Sequence, residues 1–181
     1  MEDRAHQHIE IIKAVQQGDA KAEYQLYVLY SKAMFNTALR VVNNRQDAED
    51  VLQDAFVAAF KGITSYRFDS SFGSWLKRIV INKSINHIQK RKIEFANEEV
   101  EKLQVEAEED VGVSETSYSV EKVRQAMKEL PDGYRVILSL YLFEGYDHVE
   151  ISHVLKISCS TSKSQYHRAK KKLRTILLTE L

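Results

Sequence analysis

The chain has 181 residues, no net formal charge at pH 7, one proline, six glycines and one cysteine. So few turn-forming residues argue against an all-β or α/β fold and predict an almost entirely helical protein. A single cysteine excludes an internal disulfide framework and fits a reducing cytoplasm. We expect no membrane insertion, because no apolar run approaches the ~20 residues of a membrane span.

The neutral total conceals three segments of different charge. Residues 1–95 hold 14 basic and 11 acidic side chains, residues 96–118 hold 1 and 8, and residues 119–181 hold 11 and 7. The balances are therefore +3, −7 and +4, which sum to zero. Two cationic segments on either side of an acidic connector are typical of a protein that grips a polyanion, most plausibly DNA, at two places.

In the first segment, apolar spacing predicts helices over 9–17 and 20–42 and a third that begins near Asp47. One side of the third helix is continuously apolar. The other side carries an acidic stripe formed by Asp47, Glu49, Asp50, Gln53 and Asp54. Charge patterning alone leaves two alternatives for this stripe, a solvated face and a binding surface.

A predicted loop over 64–74 mixes small polar residues with three aromatic ones. That composition suits the stacking of unpaired bases, although aromatics that cover the core would give the same pattern. The helix predicted next, over 75–91, has an apolar arc and an opposite arc of cations, amides and an indole, namely Trp75, Arg78, Asn82, Lys83, Asn86, Gln89 and Lys90. This arc could contact single-stranded or melted DNA. A solvated polar face remains the default alternative, although the lack of acidic residues from Ser70 to Ile93 weakens it.

The acidic segment 96–118 has few large apolar residues, which predicts a flexible linker that DNA would repel. We therefore predict an all-α protein of two small helical domains, residues 1–95 and 119–181, joined by this linker.

The second domain is predicted to contain a helix-turn-helix. A helix begins near Val120 and ends at a turn over 131–133. The apolar run after Tyr134 could form a strand, but Gly145 at its end and the helical context favour a helix. Asp147 is expected to cap a short helix, which a tight turn over 156–158 connects to a long helix over 160–178. In such motifs the first turns of the second helix enter the major groove, here with Ser160, Thr161, Lys163, Ser164, Gln165, His167, Arg168 and Lys171.

Several blocks together resemble extracytoplasmic-function sigma factors of the sigma-70 family. The sequence over 47–56, and that over 72–79 with Asn82, is similar to their second-region domain. Leu130-Pro131, Arg135, Glu144-Gly145, Glu150-Ile151 and the basic run over 168–174 are similar to their fourth-region domain. The resemblance spans nearly the whole chain in the right order, and it implies an alternative sigma factor that gives core RNA polymerase its promoter specificity.

The resemblance also implies roles for particular residues. The acidic stripe would dock on the clamp helices of the largest polymerase subunit. The positions of Trp75, Arg78, Asn82 and Asn86, with Lys83 and Lys90 beside them, would face the minus-ten element, and Ser70, Ser71 and Phe72 would receive a flipped base. The long last helix would read the minus-thirty-five element as duplex. An anti-sigma factor is a further implied partner, in a bacterial cytoplasm.

Three residues depart from the family pattern in the helix-turn-helix, namely Ser152, Lys156 and Ser162. A glycine at position 156 would accept a left-handed turn more easily than lysine does. Ser162 replaces an apolar anchor, so we expect a looser recognition helix.

Two alternative functions remain open on the residues alone. A DNA-binding regulator that does not join polymerase would use the helix-turn-helix but leave the acidic stripe and the aromatic loop unexplained. A metal enzyme could use His148, Glu150 and His153, but histidines five residues apart do not share one helix face. We therefore expect no catalytic activity, no metal and no cofactor.

Overall fold

The computed structural model of the protein describes residues 8–94 and 119–179. The predicted linker lies outside these ranges. The described residues form eight α-helices and no strand, which confirms the all-α prediction. The helices are α1 (Ile9–Gln16), α2 (Ala20–Val42), α3 (Arg45–Gly62), α4 (Phe72–Glu94), α5 (Val120–Glu129), α6 (Asp132–Leu138), α7 (His148–Leu155) and α8 (Cys159–Thr179). None of these helices is long and apolar enough to cross a membrane.

In the first domain, α2, α3 and α4 pack against one another, and α1 packs on α2. Ala38, Ala48 and Ala55 are fully buried, together with Leu26 and Leu76. Small side chains let the helix axes approach closely, while leucines fill the remaining space. The packing fixes the outward faces of α3 and α4 on one rigid body.

Polar caps set the helix ends and explain where the predicted boundaries were wrong. Asn43 ends α2 in the left-handed conformation, with φ 56°, and the Asn44 side chain accepts from the Asp47 amide, so α3 begins at Arg45. The Ser71 hydroxyl accepts from the Ser74 amide at 3.2 Å. Helix α4 therefore begins at Phe72, three residues before the predicted start.

The second domain contains the predicted helix-turn-helix, formed by α7 and α8. The Asp147 side chain accepts from the Glu150 amide and Glu150 returns a bond to the Asp147 amide, so both sides of a capping box are present. Lys156 ends α7 with φ 56°, the left-handed conformation expected for the turn. The helix before this motif, α6, continues as a π-helical segment, Ser139–Phe143.

The two domains pack against each other. Val136, Ile137, Leu140 and Ile151 of the second domain belong to the same buried cluster as the α2 residue Val41. A smaller cluster, with Met127, Leu130, Leu138 and Ala169, holds α5, α6 and α8 together. The prediction of two helical domains is confirmed, and the structure adds that they share part of one core.

Candidate nucleic-acid and polymerase interfaces

The acidic stripe on α3 divides into a paired end and an exposed end. Asp47, at the start of the helix, lies 3.2 Å from His87 Nε2 and 3.1 Å from Arg91 Nη1 on α4. Glu49 pairs with Arg45 at 3.0 Å. The remaining members, Asp50, Gln53 and Asp54, are exposed and lie beside the exposed apolar Val57. Only this second part of the stripe presents unpaired carboxylates to a partner, among the residues described.

A groove of about 310 Å³ separates the stripe from the basic face of α4. Asp54 and Val51 line its α3 side, and Lys83, Asn86 and Lys90 line its α4 side. Anionic and cationic surfaces therefore adjoin on one body, so two partners of opposite charge can bind next to each other.

The loop before α4 is organised around the buried ring of Tyr66. This ring contacts Phe68, Phe72 and Trp75, with centroids 4.7, 5.7 and 5.3 Å away. Its hydroxyl donates to the Ser70 carbonyl at 2.6 Å, and burial raises the Tyr66 pKa. A pinned Tyr66 holds the backbone at Ser70 in place.

Among the three residues expected to receive a flipped base, the structure separates Phe72 from the serines. Phe72 is buried, with its ring 5.1 Å from Tyr30, so it supports the loop from inside. Ser70 is exposed and Ser71 is half-buried. Gly73 suits this packing, because a Cβ there would lie 3.2 Å from the Tyr30 ring and the ring would have to shift slightly.

The polar face of α4 is largely accessible along its length. Arg78, Asn82, Asn86 and Lys90 are exposed, while Trp75 and Lys83 are half-buried. Helical spacing of three and four residues places them along one side. The structure therefore brings the predicted minus-ten residues of α4 onto a single surface.

The start of this face is in contact with the second domain. The side chain of Glu144 is 1% exposed and lies between two cations of the first domain, Arg40 and Lys77. Arg40 Nε donates to Glu144 Oε1 at 3.1 Å, and Lys77 Nζ lies 3.1 Å from Oε2 as an ion pair. Arg78 interacts with the Tyr146 hydroxyl. Burial raises the Tyr146 pKa, which the Arg78 charge opposes.

A left-handed glycine places Glu144 and Tyr146 at this contact. Gly145 has φ 76°, and the Tyr146 amide bonds back to the Leu140 carbonyl at 3.0 Å. This geometry closes the π-helical segment and turns the chain toward α7. The two side chains that flank the glycine then meet neighbouring cations of the first domain.

A second polar contact between the domains centres on Arg135, which is buried. Its guanidinium donates to the Leu130 carbonyl at 3.0 Å, to the Val41 carbonyl at 3.3 Å and to Asp132. Val41 lies in the last turn of α2, where helix carbonyls lack partners in their own helix. Arg135 therefore satisfies a carbonyl of the first domain from the second.

Asp132 joins the same contact. It also accepts from Arg91 at 3.0 Å, and Arg91 in turn bridges to Asp47. Burial raises the pKa of Asp132, but the hydrogen bonds and charges of Arg135 and Arg91 outweigh that effect and lower it below its ordinary value. Asp47, Arg91, Asp132 and Arg135 therefore form a chain of alternating negative and positive charges across the domain boundary.

The start of α8 is accessible. Ser160, Lys163, Ser164, His167, Arg168 and Lys171 are exposed, while Thr161 and Gln165 are half-buried. The Ser158 hydroxyl accepts from the Thr161 amide at 3.0 Å and caps the helix. The predicted minus-thirty-five residues therefore lie on or beside the outward surface of a capped helix.

Ser162, which the resemblance suggested would replace an apolar anchor, is held by a hydrogen bond. It is fully buried, and its hydroxyl lies 3.0 Å from His148 Nδ1. The His148 ring stacks on Tyr141 at 4.9 Å, and both rings contact Tyr166. A polar pair inside an aromatic cluster therefore gives the recognition helix an anchor that the sequence did not predict.

Two of the three residues considered as metal ligands, His148 and Glu150, have structural contacts instead. His148 faces Ser162, and Glu150 is part of the capping box of α7. Within residues 8–94 and 119–179, no group of three potential ligands could hold a metal ion.

Sequence reasoning missed the residues of the domain contact. Arg40 and Lys77 were not singled out, and Glu144 was noted only as part of a family block. A weak indication was present, because Arg40 lies within an otherwise apolar last turn of α2. A charge among buried positions at a helix end often has a specific partner.

Comparison with known families agrees with this geometry. The family model described as Sigma-70 region 2 matches residues 26–93, and the one described as Sigma-70, region 4 matches residues 120–173. The chain is 30% identical to the RNA polymerase sigma-H factor of Pseudomonas aeruginosa over 171 residues, which cover 89% of each chain. The chain belongs to the extracytoplasmic-function group of the sigma-70 family. It is an alternative sigma factor, which binds core RNA polymerase and directs promoter recognition and transcription initiation.

Other relatives and structures are consistent with this family. The ECF RNA polymerase sigma factor SigW of Bacillus subtilis is 28% identical over 173 residues, 90% of this chain and 92% of SigW. The fold is shared with the sigma factor RpoE of Bartonella quintana, solved with the anti-sigma factor NepR, at TM-score 0.57 and 21% identity over 87% of this chain and 98% of RpoE. It is also shared with CnrH, solved with the cytosolic domain of CnrY, at TM-score 0.55 and 23% identity over 94% and 97%.

Proposed function

We propose that this sigma factor divides its work between the two domains and the linker. Residues 1–95 bind core polymerase and recognise and melt the minus-ten element, residues 119–181 recognise the minus-thirty-five element, and residues 96–118 connect them. The proposal is supported by the exposed acidic end of α3 beside the cation-and-amide face of α4, on one rigid helical body.

The polymerase contact is assigned to the acidic stripe, with Asp50, Gln53 and Asp54 as its centre. These side chains are exposed on a helix that is packed on two sides, so they can bind without reordering of the backbone. The clamp helices of the largest polymerase subunit are the proposed partner. Asp47 and Glu49 contribute less, because each is paired within the first domain.

The minus-ten contact is assigned to the α4 face and the loop before it. Trp75, Arg78 and Asn82 would meet the bases as the strands separate, with Lys83, Asn86 and Lys90 along the backbone. Ser70 and Ser71, held by Tyr66 and the start of α4, would bind the flipped base, and Phe72 supports them from the core. Capture of an unstacked base offsets an unstacking cost of about a few kcal/mol, which couples recognition to melting.

The minus-thirty-five contact is assigned to the start of α8. Gln165 and Arg168 are placed toward base edges, since glutamine suits adenine and arginine suits guanine. Lys163 and Lys171 are placed toward phosphates, with Ser160, Thr161, Ser164 and His167 around them. Phosphate contacts fix the position of the helix and base contacts supply the sequence choice.

The protein acts by binding and not by catalysis, in the bacterial cytoplasm. An anti-sigma factor that holds the two domains is the proposed regulator, and it is supported by neighbours of the same fold that were solved with such partners. A regulator that acts without polymerase is disfavoured, because it would give no role to the exposed acidic end of α3.

The polymerase assignment is tested by charge reversal at Asp50 and Asp54. We expect Asp50→Lys with Asp54→Lys to weaken association with core polymerase at least about a hundredfold, because like charges would face each other across the interface. Fluorescence anisotropy of the labelled sigma factor titrated with core enzyme measures this. Glu10→Lys with Glu121→Lys, at exposed positions of α1 and α5, changes the charge equally and is the control. Unchanged association of the Asp50 and Asp54 variant would show that the stripe is only solvated.

A further inference from the structure

The place of Glu144 suggests a function for the two cations that hold it. Arg40 comes from the last turn of α2 and Lys77 from the second turn of α4, yet both converge on one carboxylate within 3.1 Å. The carboxylate is almost completely buried, whereas the side chains of Arg40 and Lys77 are 37% and 35% exposed. The cations therefore lie at the edge of the contact, where solvent reaches them once Glu144 leaves.

A carboxylate and a phosphodiester present similar groups to such a pair. Each offers two anionic oxygens, and arginine and lysine are the usual side chains that bind phosphate. Lys77 is adjacent in sequence to Arg78, on the α4 helix whose polar face is the proposed minus-ten surface. A DNA strand that follows this face would pass its backbone close to Lys77 and Arg40.

We propose that Arg40 and Lys77 form a binding site for one backbone phosphate of promoter DNA, and that Glu144 occupies this site when the domains are packed together. The inference rests on the proposed role of the α4 face in DNA binding. Glu144 is then an internal competitor, and the second domain covers part of the DNA site of the first.

Other contacts support the competition. Tyr146, two residues after Glu144, interacts with Arg78, so the same turn also reaches a neighbouring, exposed cation of the DNA face. Arg135 and Asn43 tie the domains together through the Val41 and Lys128 carbonyls, at 3.3 and 2.9 Å. Glu144 and a phosphate exclude each other at this site. The affinity of the free chain for DNA is therefore the affinity of the open form multiplied by the fraction of molecules that are open. Any partner that separates the domains would raise that affinity.

The test measures DNA binding and domain spacing without polymerase, using the full chain. Binding of a short fluorescein-labelled single-stranded oligonucleotide is followed by anisotropy at several salt concentrations. Domain spacing is followed by energy transfer between dyes on Cys159, in α8, and on Lys21→Cys, at the exposed start of α2. The variant is Glu144→Gln, which keeps the shape of the side chain and removes its charge.

We expect Glu144→Gln to separate the domains and to tighten oligonucleotide binding about fivefold or more. Glu121→Gln makes the same change in net charge at a side chain that is 77% exposed, and it should alter binding less than about twofold. Adding Arg40→Ala and Lys77→Ala to Glu144→Gln should remove the gain. It should also make the negative slope of log affinity against log salt less steep by about 0.7, the value for one single-strand phosphate contact.

Each other result overturns a stated part of the inference. Separation of the domains without tighter binding would show that Glu144 does not compete with DNA. Tighter binding that survives the loss of Arg40 and Lys77 would place the phosphate elsewhere. If the domain spacing does not change, Glu144 does not hold the two domains together. If Glu144→Gln does not fold, Glu144→Asp, which withdraws the carboxylate by one methylene, is expected to shift both readouts in the same direction. Normal polymerase-dependent initiation alongside any of these failures would leave the proposed function intact.

Discussion

The two surfaces proposed to bind DNA differ in how far the other domain covers them. On α8, Lys163, His167 and Arg168 are exposed at the start of a capped helix. On α4, Lys77 contacts Glu144, and Arg78 contacts Tyr146, both from the second domain. Both helices are basic, with no acidic residue apart from Glu94 at the end of α4, yet only α8 is open from its first turn. Charge in a sequence marks a candidate DNA surface, while the packing of domains decides when it is available.

Substitution of Arg135 gives the sharpest test of the domain contact beside the α4 surface. We expect Arg135→Ala to lower the free energy of unfolding by about 3 kcal/mol, because it removes the guanidinium that donates to the Leu130 and Val41 carbonyls and leaves Asp132 with Arg91 alone. Urea unfolding followed by circular dichroism measures this. Arg124→Ala, on an exposed face of α5, is the control and should cost less than about 0.5 kcal/mol. Equal costs would show that the domain contact contributes little to stability.

The same variant should change the dependence of stability on pH. The pKa of Asp132 is lowered in the folded chain, so its contribution is present above the ordinary aspartate value of about 3.9 and is lost as the pH falls through the folded value. Without Arg135 that lowering is smaller. The stability difference between the two proteins should therefore shrink as the solution is acidified below about pH 4.

Variants of the two DNA surfaces should impair different steps of initiation. Arg78→Ala with Asn82→Ala should slow promoter opening about tenfold or more, with association to core polymerase unchanged, since base contacts made on strand separation are lost. Lys163→Ala with Arg168→Ala should instead weaken binding to duplex that carries only the upstream element. Permanganate reactivity of unpaired thymines measures opening, and retardation of the duplex by holoenzyme measures binding. Equal loss of assembly and opening in the α4 variant would contradict its role.

A smaller effect on stability is expected from Lys156, in the turn between α7 and α8. Lys156 has φ 56°, which costs a non-glycine residue about 1 kcal/mol. Lys156→Gly should therefore raise the free energy of unfolding by about that amount, in a thermal or urea measurement. Lys128→Gly, inside α5, should lower it by about 1 kcal/mol and shows that glycine itself does not stabilise the chain. A loss of stability at position 156 would mean that the lysine makes a contact worth more than the strain.

Local patterns predicted most of this fold. The apolar spacing of α2 and α3, the Asp147 cap and the left-handed turn at Lys156 are all consequences of nearby residues, so the sequence was sufficient to predict them. Helix starts were misjudged where a cap lies outside the apolar pattern, as at Ser71.

The domain contact could not be predicted from local patterns. Glu144 meets Arg40 and Lys77 from positions far apart in the chain, and no periodicity connects them. The pairing of Ser162 with His148 was missed for the same reason, because Ser162 alone looks like a departure from the motif and His148 alone looks like a possible metal ligand. For the candidate sites, the sequence identified which side chains could bind DNA or polymerase, and the structure showed which are exposed and which are already paired.

The most direct test of the central claim is initiation by purified core RNA polymerase with and without this protein. Transcription from a library of genomic fragments, with the five-prime ends of the transcripts mapped, gives the start sites in each case. We predict a discrete set of new start sites that depends on the protein and is lost with Asp50→Lys and Asp54→Lys. Start sites that are the same with and without the protein would contradict its assignment as a promoter-specificity subunit.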